Sequence, residues 1–375
     1  STDESGFRYC TECVVNGVDI DRRKLREALS ALGDSLVLAG TKRKAKIHIH
    51  ADDPERVFEA AGRFGSVSAQ KADDMQLQQR STHGISARFA VITDSAADIP
   101  EALLEELDIH LVPLRVQFGD RGYLDKVSIT PTEFFEKLRE TEVAPTTSQP
   151  SPGDFRRHYQ FLASHYPDVI SVSLTGGVSG TLQAAQSAAS RVDASGRVHV
   201  VDTRNASLGQ GLLTILAAEC ARSGCDARRT IELLERAIPD TISFAIVKDL
   251  TWAVRGGRVP KSRKLIADLL RVTPVLRTTP DGKVSSGGIL PGRRRPLRRF
   301  ARYIADHAPA GELQFLVGHA QAPEDAEALV SEIESVLPRA RCRGTTSIGT
   351  ALGVHAGPGA LVVGVQRRVA IDATD

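Results

Sequence analysis

Two hydrophobic patterns follow one another along much of the chain. Short runs rich in β-branched residues predict strands, for example at residues 89–94, 111–118, 169–174 and 198–203. Amphipathic segments between such runs predict helices, for example at residues 100–107 and 153–163. Strands that alternate with helices are typical of an α/β protein, in which helices cover both faces of a parallel sheet.

The same patterns divide the chain into three predicted domains. Residues 1–80 contain short strands separated by helices, which predicts a small α+β domain. A polar, irregular stretch at residues 76–88 is interpreted as a linker. Residues 88–250 then carry the parallel α/β pattern, and residues 251–375 carry a second α/β pattern that predicts a mixed sheet. Near the end of this last domain, residues 353–359 predict a turn-rich loop that contains His355.

A glycine-rich stretch at residues 169–185 is the main candidate for a binding site. It predicts a strand, a loop with three glycines and a helix that begins at Thr181. Backbone N–H groups at the start of a helix attract anions, and this loop adds the hydroxyl groups of Thr175, Ser179 and Thr181. The plainer alternative is that Ser179 only caps the helix, which is worth about 1 kcal/mol.

Other polar residues follow predicted strands. Asp94 and Ser95 end one strand, and residues 202–203 end another. Open α/β sheets bind ligands at the carboxyl ends of their strands, so these residues belong to the expected binding edge. The Pro/Ser/Thr loop at residues 145–152, which contains Thr147, is expected to reach the same edge, although Thr147 alternatively only stabilises a turn.

Two histidines near the N-terminus are candidate metal ligands. His48 and His50 are two residues apart on a predicted strand, so both rings lie on one face. Together with Cys10, on another predicted strand, they form a donor set suited to zinc. By spacing alone, two surface histidines and a buried cysteine are an equally good interpretation. Cys13 is three positions from Cys10 and therefore faces the opposite side of the strand.

Composition excludes several classes of protein. The 375-residue chain is 41% hydrophobic, which is enough for several cores. Its net charge of +2 gives no strong preference for nucleic acid. Five cysteines in so long a chain do not make a disulfide framework, and no signal peptide or membrane span is evident, so a cytoplasmic location is expected.

A basic run occurs near residue 295. Its members are Arg293, Arg294, Arg295, Arg298 and Arg299. Such runs are usually solvated faces of helices. The sharper hypothesis is a docking patch for an acidic partner surface or for transient contact with an anionic membrane.

Three motifs stand out in the first 80 residues: Tyr9–Glu12, Leu32–Leu36 and Lys46–Pro54. With these motifs the segment resembles the middle domain of the fatty-acid kinases, which are relatives of dihydroxyacetone kinases. The resemblance implies zinc binding by Cys10, His48 and His50. In that family an ATP-binding domain precedes this one, but the chain has no G-x-x-x-x-G-K-[ST] motif. An ATP-binding kinase domain or subunit is therefore expected as a partner.

Six further motifs are spread over residues 88–370: Val91–Ser95, Thr147–Ser151, Ser173–Thr181, Val201–Ser207, Arg255–Val259 and His355–Gly359. In these motifs and in their order the segment resembles the DegV family of bacterial fatty-acid-binding proteins. The resemblance implies two α/β domains that bury a long acyl chain in a tunnel. It assigns the carboxylate of the fatty acid to Thr147 and Ser179, and further to His355 and Arg258. The expected supporting residues are Asp94, Ser95, Gly180 and Thr181.

Three functions follow from these observations. The first is a non-enzymatic carrier that binds a long-chain fatty acid and presents it to a kinase for acyl-phosphate formation. The second is a serine hydrolase with Ser179 as nucleophile, His355 as base and Asp94 or Asp202 as its partner. The segment around Ser179 misses the G-x-S-x-G motif by its last glycine. The third is a phosphometabolite-binding protein that uses the glycine-rich loop as an anion site.

Overall fold

Strands and helices alternate along the chain in this computed structural model. The structure describes residues 6–82, 87–141, 144–192, 196–248, 250–255, 273–290 and 295–371. From residue 6 to residue 141 the elements are β1 (Tyr9–Asn16), α1 (Arg22–Ser30), β2 (Asp34–Gly40), β3 (Lys44–Ala51), α2 (Pro54–Gly62), β4 (Ser66–Asp74), α3 (Met75–Thr82), β5 (Phe89–Asp94), α4 (Glu101–Glu106), β6 (His110–Val112), β7 (Arg115–Phe118), β8 (Arg121–Leu124) and α5 (Pro131–Glu140).

The remaining described residues continue the alternation. Up to residue 248 the elements are β9 (Thr146–Ser148), α6 (Pro152–His165), β10 (Asp168–Ser173), α7 (Thr181–Val192), β11 (Val198–Asp202), α8 (Leu208–Arg222), α9 (Ala227–Ala237) and β12 (Thr241–Ile246). Beyond it they are α10 (Thr251–Arg255), β13 (Thr273–Thr278), β14 (Val284–Leu290), α11 (Pro296–His307), β15 (Leu313–His319), α12 (Pro323–Val336), β16 (Arg341–Ser347), α13 (Thr350–Ala356) and β17 (Leu361–Arg367).

The chain forms two units that differ in size. The small unit contains residues 1–85 and 115–130, and the large unit contains residues 86–114 and 131–375. The predicted division at residue 250 therefore falls inside the large unit. Residues 115–130, which the sequence placed in the second domain, belong to the small unit.

The small unit is built on a four-stranded antiparallel sheet in the order β2-β3-β1-β4. Asp21 caps α1 by accepting the N–H groups of Arg23 and Lys24, which satisfies two donors that a helix start leaves open. Leu25 and Leu29 on the inner face of α1 are fully buried in the core of this unit. These contacts confirm the predicted small α+β region.

Residues 115–130 belong to the small unit because they share its core and its ion pairs. β7 and β8 form an antiparallel hairpin, and Leu124 at its end packs into the core. Arg121 on β8 pairs with Glu55 and Glu59, both on α2. The single strand predicted over residues 111–118 is wrong, because Pro113 lacks an N–H group and separates β6 from β7.

The predicted linker at residues 76–88 begins instead with helix α3. The Asp74 carboxylate accepts the backbone N–H of Leu77 at 3.0 Å and so caps the first turn of that helix. A polar composition therefore did not mean irregular structure over residues 75–82.

The large unit contains two sheets that share one helix. A parallel sheet has the order β11-β10-β5-β6, and a mixed sheet has the order β14-β13-β12-β17-β15-β16. Helix α8 contacts β5 and β10 of the first sheet and β12, β15 and β17 of the second. This position explains why α8 is apolar on nearly all sides. The α/β class, with one parallel and one mixed sheet, is confirmed.

None of the helices in the described ranges is both long and apolar enough to cross a membrane.

Candidate functional site

A largely apolar cavity lies within the large unit. Its empty space, including the part that opens to solvent, is about 1190 Å³. Leu114 and Leu174 line it beside the parallel sheet, and Ala351 and Leu352 line it from α13. A cavity with this largely apolar lining is typical of a site for an apolar small molecule.

The mixed sheet contributes one wall of the cavity. Ala245 on β12 lies directly opposite Leu276 on β13 and Val362 on β17, and all three residues line the cavity. The small side chain of Ala245 leaves space between its two larger neighbours. A larger side chain at Ala245 would therefore enter the cavity.

Three of the four predicted carboxylate ligands line this one cavity. Thr147 lies on β9, Ser179 in the loop between β10 and α7, and His355 near the end of α13. The fold thus brings together residues from three distant parts of the chain. Arg258, the fourth predicted ligand, lies outside the described residues.

The structure changes the expected setting of His355. The sequence placed it in a turn-rich loop, but it lies in the last turn of α13, which ends just before Gly357. The helix packs closely against α5 at Gly353, where a Cβ atom would lie 2.8 Å from the ring of Phe134. Only glycine permits this approach, so Gly353 helps to place His355 at the cavity.

Ser179 is hydrogen-bonded to the first residue of α7. The hydroxyl oxygens of Ser179 and Thr181 are 2.8 Å apart, and the N–H of Thr181 donates to the Ser179 hydroxyl at 3.2 Å. When Thr181 donates its hydroxyl hydrogen to Ser179, the Ser179 hydrogen is left to point at a ligand. Thr181 therefore orients the Ser179 hydroxyl.

The Gln149 side chain packs against Gly180, the residue after Ser179. A Cβ atom at Gly180 would overlap the side-chain oxygen of Gln149, so this side chain could not keep its position beside a larger residue. The loops that carry Thr147 and Ser179 are therefore in contact next to the cavity.

Asp94 anchors the same edge of the parallel sheet. Its buried carboxylate accepts hydrogen bonds from the N–H of Leu174 at 2.8 Å, from the side-chain amide of Gln210 at 3.0 Å and from the N–H of Ala96 at 3.2 Å. Burial raises the pKa of Asp94 to about 6 against the effect of these hydrogen bonds. Asp94 therefore holds in place two cavity-lining residues, Leu174 and Ala96.

Ser95 has a similar scaffolding position. Its hydroxyl accepts the N–H of Leu114 at 3.0 Å, and Leu114 lines the cavity.

The glycine-rich loop is less available to an anion than its sequence suggests. The hydroxyl of Thr175 donates to the carbonyl of Gly282 at 2.9 Å, and the N–H of Gly177 donates to the Thr175 hydroxyl at 3.1 Å. One backbone donor of the loop and one of its hydroxyls are thus engaged within the protein.

Arg277 and Ser243 also line the cavity, and sequence reasoning missed both. They lie on strands β13 and β12, outside any recognisable motif. The only signal that could have found them is the strand pairing that brings them to the cavity wall.

A separate cluster in the small unit contains the three predicted metal ligands. Cys10, His48 and His50 each offer a donor atom, and these atoms lie within 4.8 Å of one another. The Cys10 sulfur is 3.7 Å from Nδ1 of His48. One sulfur and two imidazole nitrogens at this separation fit the ligand preferences of zinc.

Cys13 does not join this cluster. It is buried in the core of the small unit, and burial raises the pKa of its thiol to about 12. Its side chain faces away from Cys10, as alternation along a strand requires.

The fold and the cavity define an α/β protein that encloses an apolar ligand space within its large unit. Residues 88–368 match the model described as "Uncharacterised protein, DegV family", which covers well over half of the chain. The chain therefore belongs to the DegV family. Residues 6–82 match a second model, that of the middle domain of proteins similar to fatty acid kinase.

Relatives and solved structures agree with this assignment. A DegV domain-containing protein of Caldanaerobacter subterraneus is 33% identical over 73% of this chain and 96% of its own length. A fatty-acid-binding DegV family protein of Thermus thermophilus matches with a TM-score of 0.69 and 32% identity, over 75% of this chain and 100% of that one. DegV of Bacillus subtilis, described as a fatty acid binding protein, matches with a TM-score of 0.66 and 29% identity, over 76% of this chain and 100% of that one.

Proposed function

We propose that this protein is a carrier that binds a long-chain fatty acid in the cavity of the large unit. The observation that carries the proposal is that Thr147, Ser179 and His355 all line a cavity that is otherwise mostly apolar. The fatty-acid-binding relatives support the choice of ligand.

The chemistry of a fatty acid matches this combination of surfaces. Burial of each methylene contributes about 0.8 kcal/mol, so a chain of roughly fifteen contributes on the order of 10 kcal/mol before association costs. An unpaired carboxyl group would cancel several kcal/mol of that gain. The hydroxyls of Thr147 and Ser179 donate to a carboxylate and accept from a protonated acid.

The head group is bound by hydroxyls so that it stays reactive. A bidentate arginine would shield a carboxylate, whereas single hydroxyl contacts leave one of its oxygens open to a phosphoryl donor. The carrier then presents the acid to an ATP-binding kinase domain or subunit, which forms the acyl-phosphate. His355 and Arg258 belong to the same proposed carboxylate site, in which Arg258 makes a single contact and not a bidentate clamp, and Arg277 adds a positive charge at the cavity.

The hydrolase and phosphometabolite alternatives receive less support. Ser179 shares its hydrogen bond with the Thr181 hydroxyl, which is not a base, and the Gly177 N–H is engaged by Thr175. Organic extraction of the purified protein followed by mass spectrometry tests the three functions together. Copurified long-chain acids support the carrier, whereas esterase turnover that depends on Ser179 or a bound phosphate ester would contradict it.

Removal of the hydroxyl of Ser179 or Thr147 is expected to weaken fatty-acid binding about tenfold for each residue. The reason is that a hydrogen bond to a charged group contributes about 1.5–3 kcal/mol, and water replaces part of it. Titration of delipidated protein with a fluorescent fatty acid measures the change. Ser190→Ala is a matched control, because Ser190 is an exposed hydroxyl on α7 that bonds to the Ser187 carbonyl. Unchanged affinity in both Ser179→Ala and Thr147→Ala would contradict the assignment.

The cluster of Cys10, His48 and His50 forms the second part of the proposal, a zinc centre in the small unit. Bound zinc would tie strands β1 and β3 together and order this face of the sheet for contact with the kinase. The resemblance to the fatty acid kinase middle domain supports such a role.

Cys10→Ser is expected to reduce zinc affinity by more than about 100-fold, because loss of a direct ligand costs more than loss of an outer partner, which costs 10–100-fold. Competition with a chromogenic chelator measures this affinity, and elemental analysis gives the zinc content. Cys342→Ser is the control, since Cys342 lies on β16 in the large unit. Protein that is purified metal-free and takes up no added zinc would rule out the centre.

We place contact with an acidic partner or an anionic membrane on the basic face of α11. Arg295 is exposed, whereas Arg298 and Arg299 are half-buried. Arg293 and Arg294 lie outside the described residues. A cytoplasmic location, where a kinase and its ATP are present, is part of the same proposal, and nucleic acid is not among the proposed partners.

A further inference from the structure

A fourth side chain shares the face of the sheet that carries the proposed zinc ligands. β1 and β3 pair antiparallel, with Cys10 opposite His50 and Glu12 opposite His48. Residues two apart on a strand point to the same side, and directly opposed residues lie side by side. Cys10, Glu12, His48 and His50 therefore form a block of two neighbouring cross-strand pairs on one face.

Within this block the thiol and the carboxylate converge on one nitrogen. Oε1 of Glu12 is 3.2 Å from Nδ1 of His48, and the sulfur of Cys10 is 3.7 Å from the same atom. The Glu12 oxygens are not among the donor atoms that lie within 4.8 Å of one another, so the Glu12 side chain has to turn towards Cys10 and His50 to bind the same ion. His48 thus offers Nδ1 to the ion.

A different carboxylate lies beside the other histidine. Oδ1 of Asp34 on β2 is 3.6 Å from Nδ1 of His50, which is an ion-pair distance and not a hydrogen bond, and these two residues are opposed in the β2–β3 pairing. A carboxylate beside one ring nitrogen of a metal-bound histidine leaves the other nitrogen for the metal. We therefore assign Nε2 of His50 to the metal and Asp34 as its positioning residue.

We propose that Glu12 is the fourth ligand of the zinc centre, together with Cys10, His48 and His50. The inference rests on the zinc centre proposed above. Structural zinc sites are nearly always four-coordinate, and a carboxylate oxygen is an accepted ligand beside sulfur and imidazole nitrogen. The Glu12 side chain is only 26% exposed and that of His50 only 9%, so the site is partly shielded from competing water.

The competing role for Glu12 is an ordinary ion pair. Oε2 of Glu12 lies 3.5 Å from Nζ of Lys46, and the Lys46 side chain is 62% exposed. An exposed pair of this kind contributes little to stability. Glu12 and Lys46 can be separated by mutation, because the lysine contacts the other oxygen of the carboxylate.

Zinc titration of the full chain, after removal of metal, tests the proposal. Glu12→Gln is expected to lower zinc affinity by about 100-fold in competition with a chromogenic chelator, since the amide is a much poorer ligand. Lys46→Gln is the matched control and is expected to change the affinity less than about threefold. Circular dichroism of the metal-free variants shows whether the small unit is still folded.

Cobalt substitution distinguishes a ligand from a positioning residue. Glu12→Gln is expected to keep the sulfur-to-cobalt charge-transfer band but to change the ligand-field bands. Asp34→Asn is expected to weaken binding about tenfold with unchanged ligand-field bands. Wild-type affinity in Glu12→Gln, or weaker binding with an unchanged cobalt spectrum, overturns the assignment of Glu12. Failure of the wild-type chain to bind zinc would instead remove the centre itself and leave fatty-acid binding untouched.

Discussion

Replacement of Ala245 by phenylalanine is expected to abolish the binding of long-chain fatty acids while the large unit stays folded. Ala245 lies at the centre of the cavity wall, between Leu276 and Val362. A ring at this position occupies the space of several methylenes of the proposed ligand, each worth about 0.8 kcal/mol. Exclusion of about four methylenes weakens binding by more than 100-fold.

The stability of the ligand-free variant shows whether binding is lost because the cavity is blocked or because the protein unfolds. A side chain that fills an empty apolar space gains contacts, so the melting temperature of delipidated Ala245→Phe is expected to equal or exceed that of the wild type. Ala102→Phe, at an exposed position on α4, is the size-matched control and should retain fatty acid. Copurified acid at wild-type levels in Ala245→Phe would show that the ligand lies elsewhere.

Many of the individual strands and helices can be predicted from local sequence patterns. The packing of one helix against two sheets cannot. The strand at residues 89–94 and the helix at residues 209–222 are each evident from their own residues. The pattern of helix α8 does not say that it contacts two sheets at once. For this reason the predicted boundary at residue 250 divides a unit that one buried helix holds together.

The candidate site was predictable only as a set of separate motifs. Thr147 and Ser179 stand out in the sequence, but the patterns around them do not say that β9 and the loop before α7 meet at one cavity. His355 was predicted in a loop because glycines follow it, while its short helix gives a weak periodic signal. Arg277 belongs to no motif and reaches the cavity through strand pairing alone.

In the small unit, too, the sequence predicts the candidate residues but not how they meet. The sequence places His48 and His50 on one face, and alternation excludes Cys13. The sequence does not fix which residue of β1 lies opposite each histidine. A shift of one residue in the strand pairing would move every side chain of β1 to the other face of the sheet. The register of β1 against β3 brings Glu12 to His48.

Asp94→Ala is expected to destabilise the large unit by about 3–5 kcal/mol. Asp94 is buried, and its loss leaves the donors of Leu174, Ala96 and Gln210 without their acceptor. Each buried unsatisfied donor costs about 1–3 kcal/mol, and partial relaxation reduces the sum. Urea unfolding of the delipidated protein, followed by circular dichroism, measures the change. Because Leu174 lines the cavity, fatty-acid retention should fall as well.

The pH dependence of the free energy of unfolding distinguishes the effect of the Asp94 charge from the effect of its hydrogen bonds. Burial raises the pKa of Asp94 from 3.8 to about 6, so the folded protein binds this proton more tightly than the unfolded chain does. The contribution of Asp94 to stability is therefore largest below pH 4 and falls as the pH rises to about 6. Asp94→Asn keeps one acceptor but does not titrate, so its free energy of unfolding should lack this decline. The free energy of unfolding could instead change in parallel for wild type and Asp94→Asn between pH 4 and 6. That result would mean that Asp94 ionises normally and that its hydrogen bonds offset the whole free-energy cost of burying its charge.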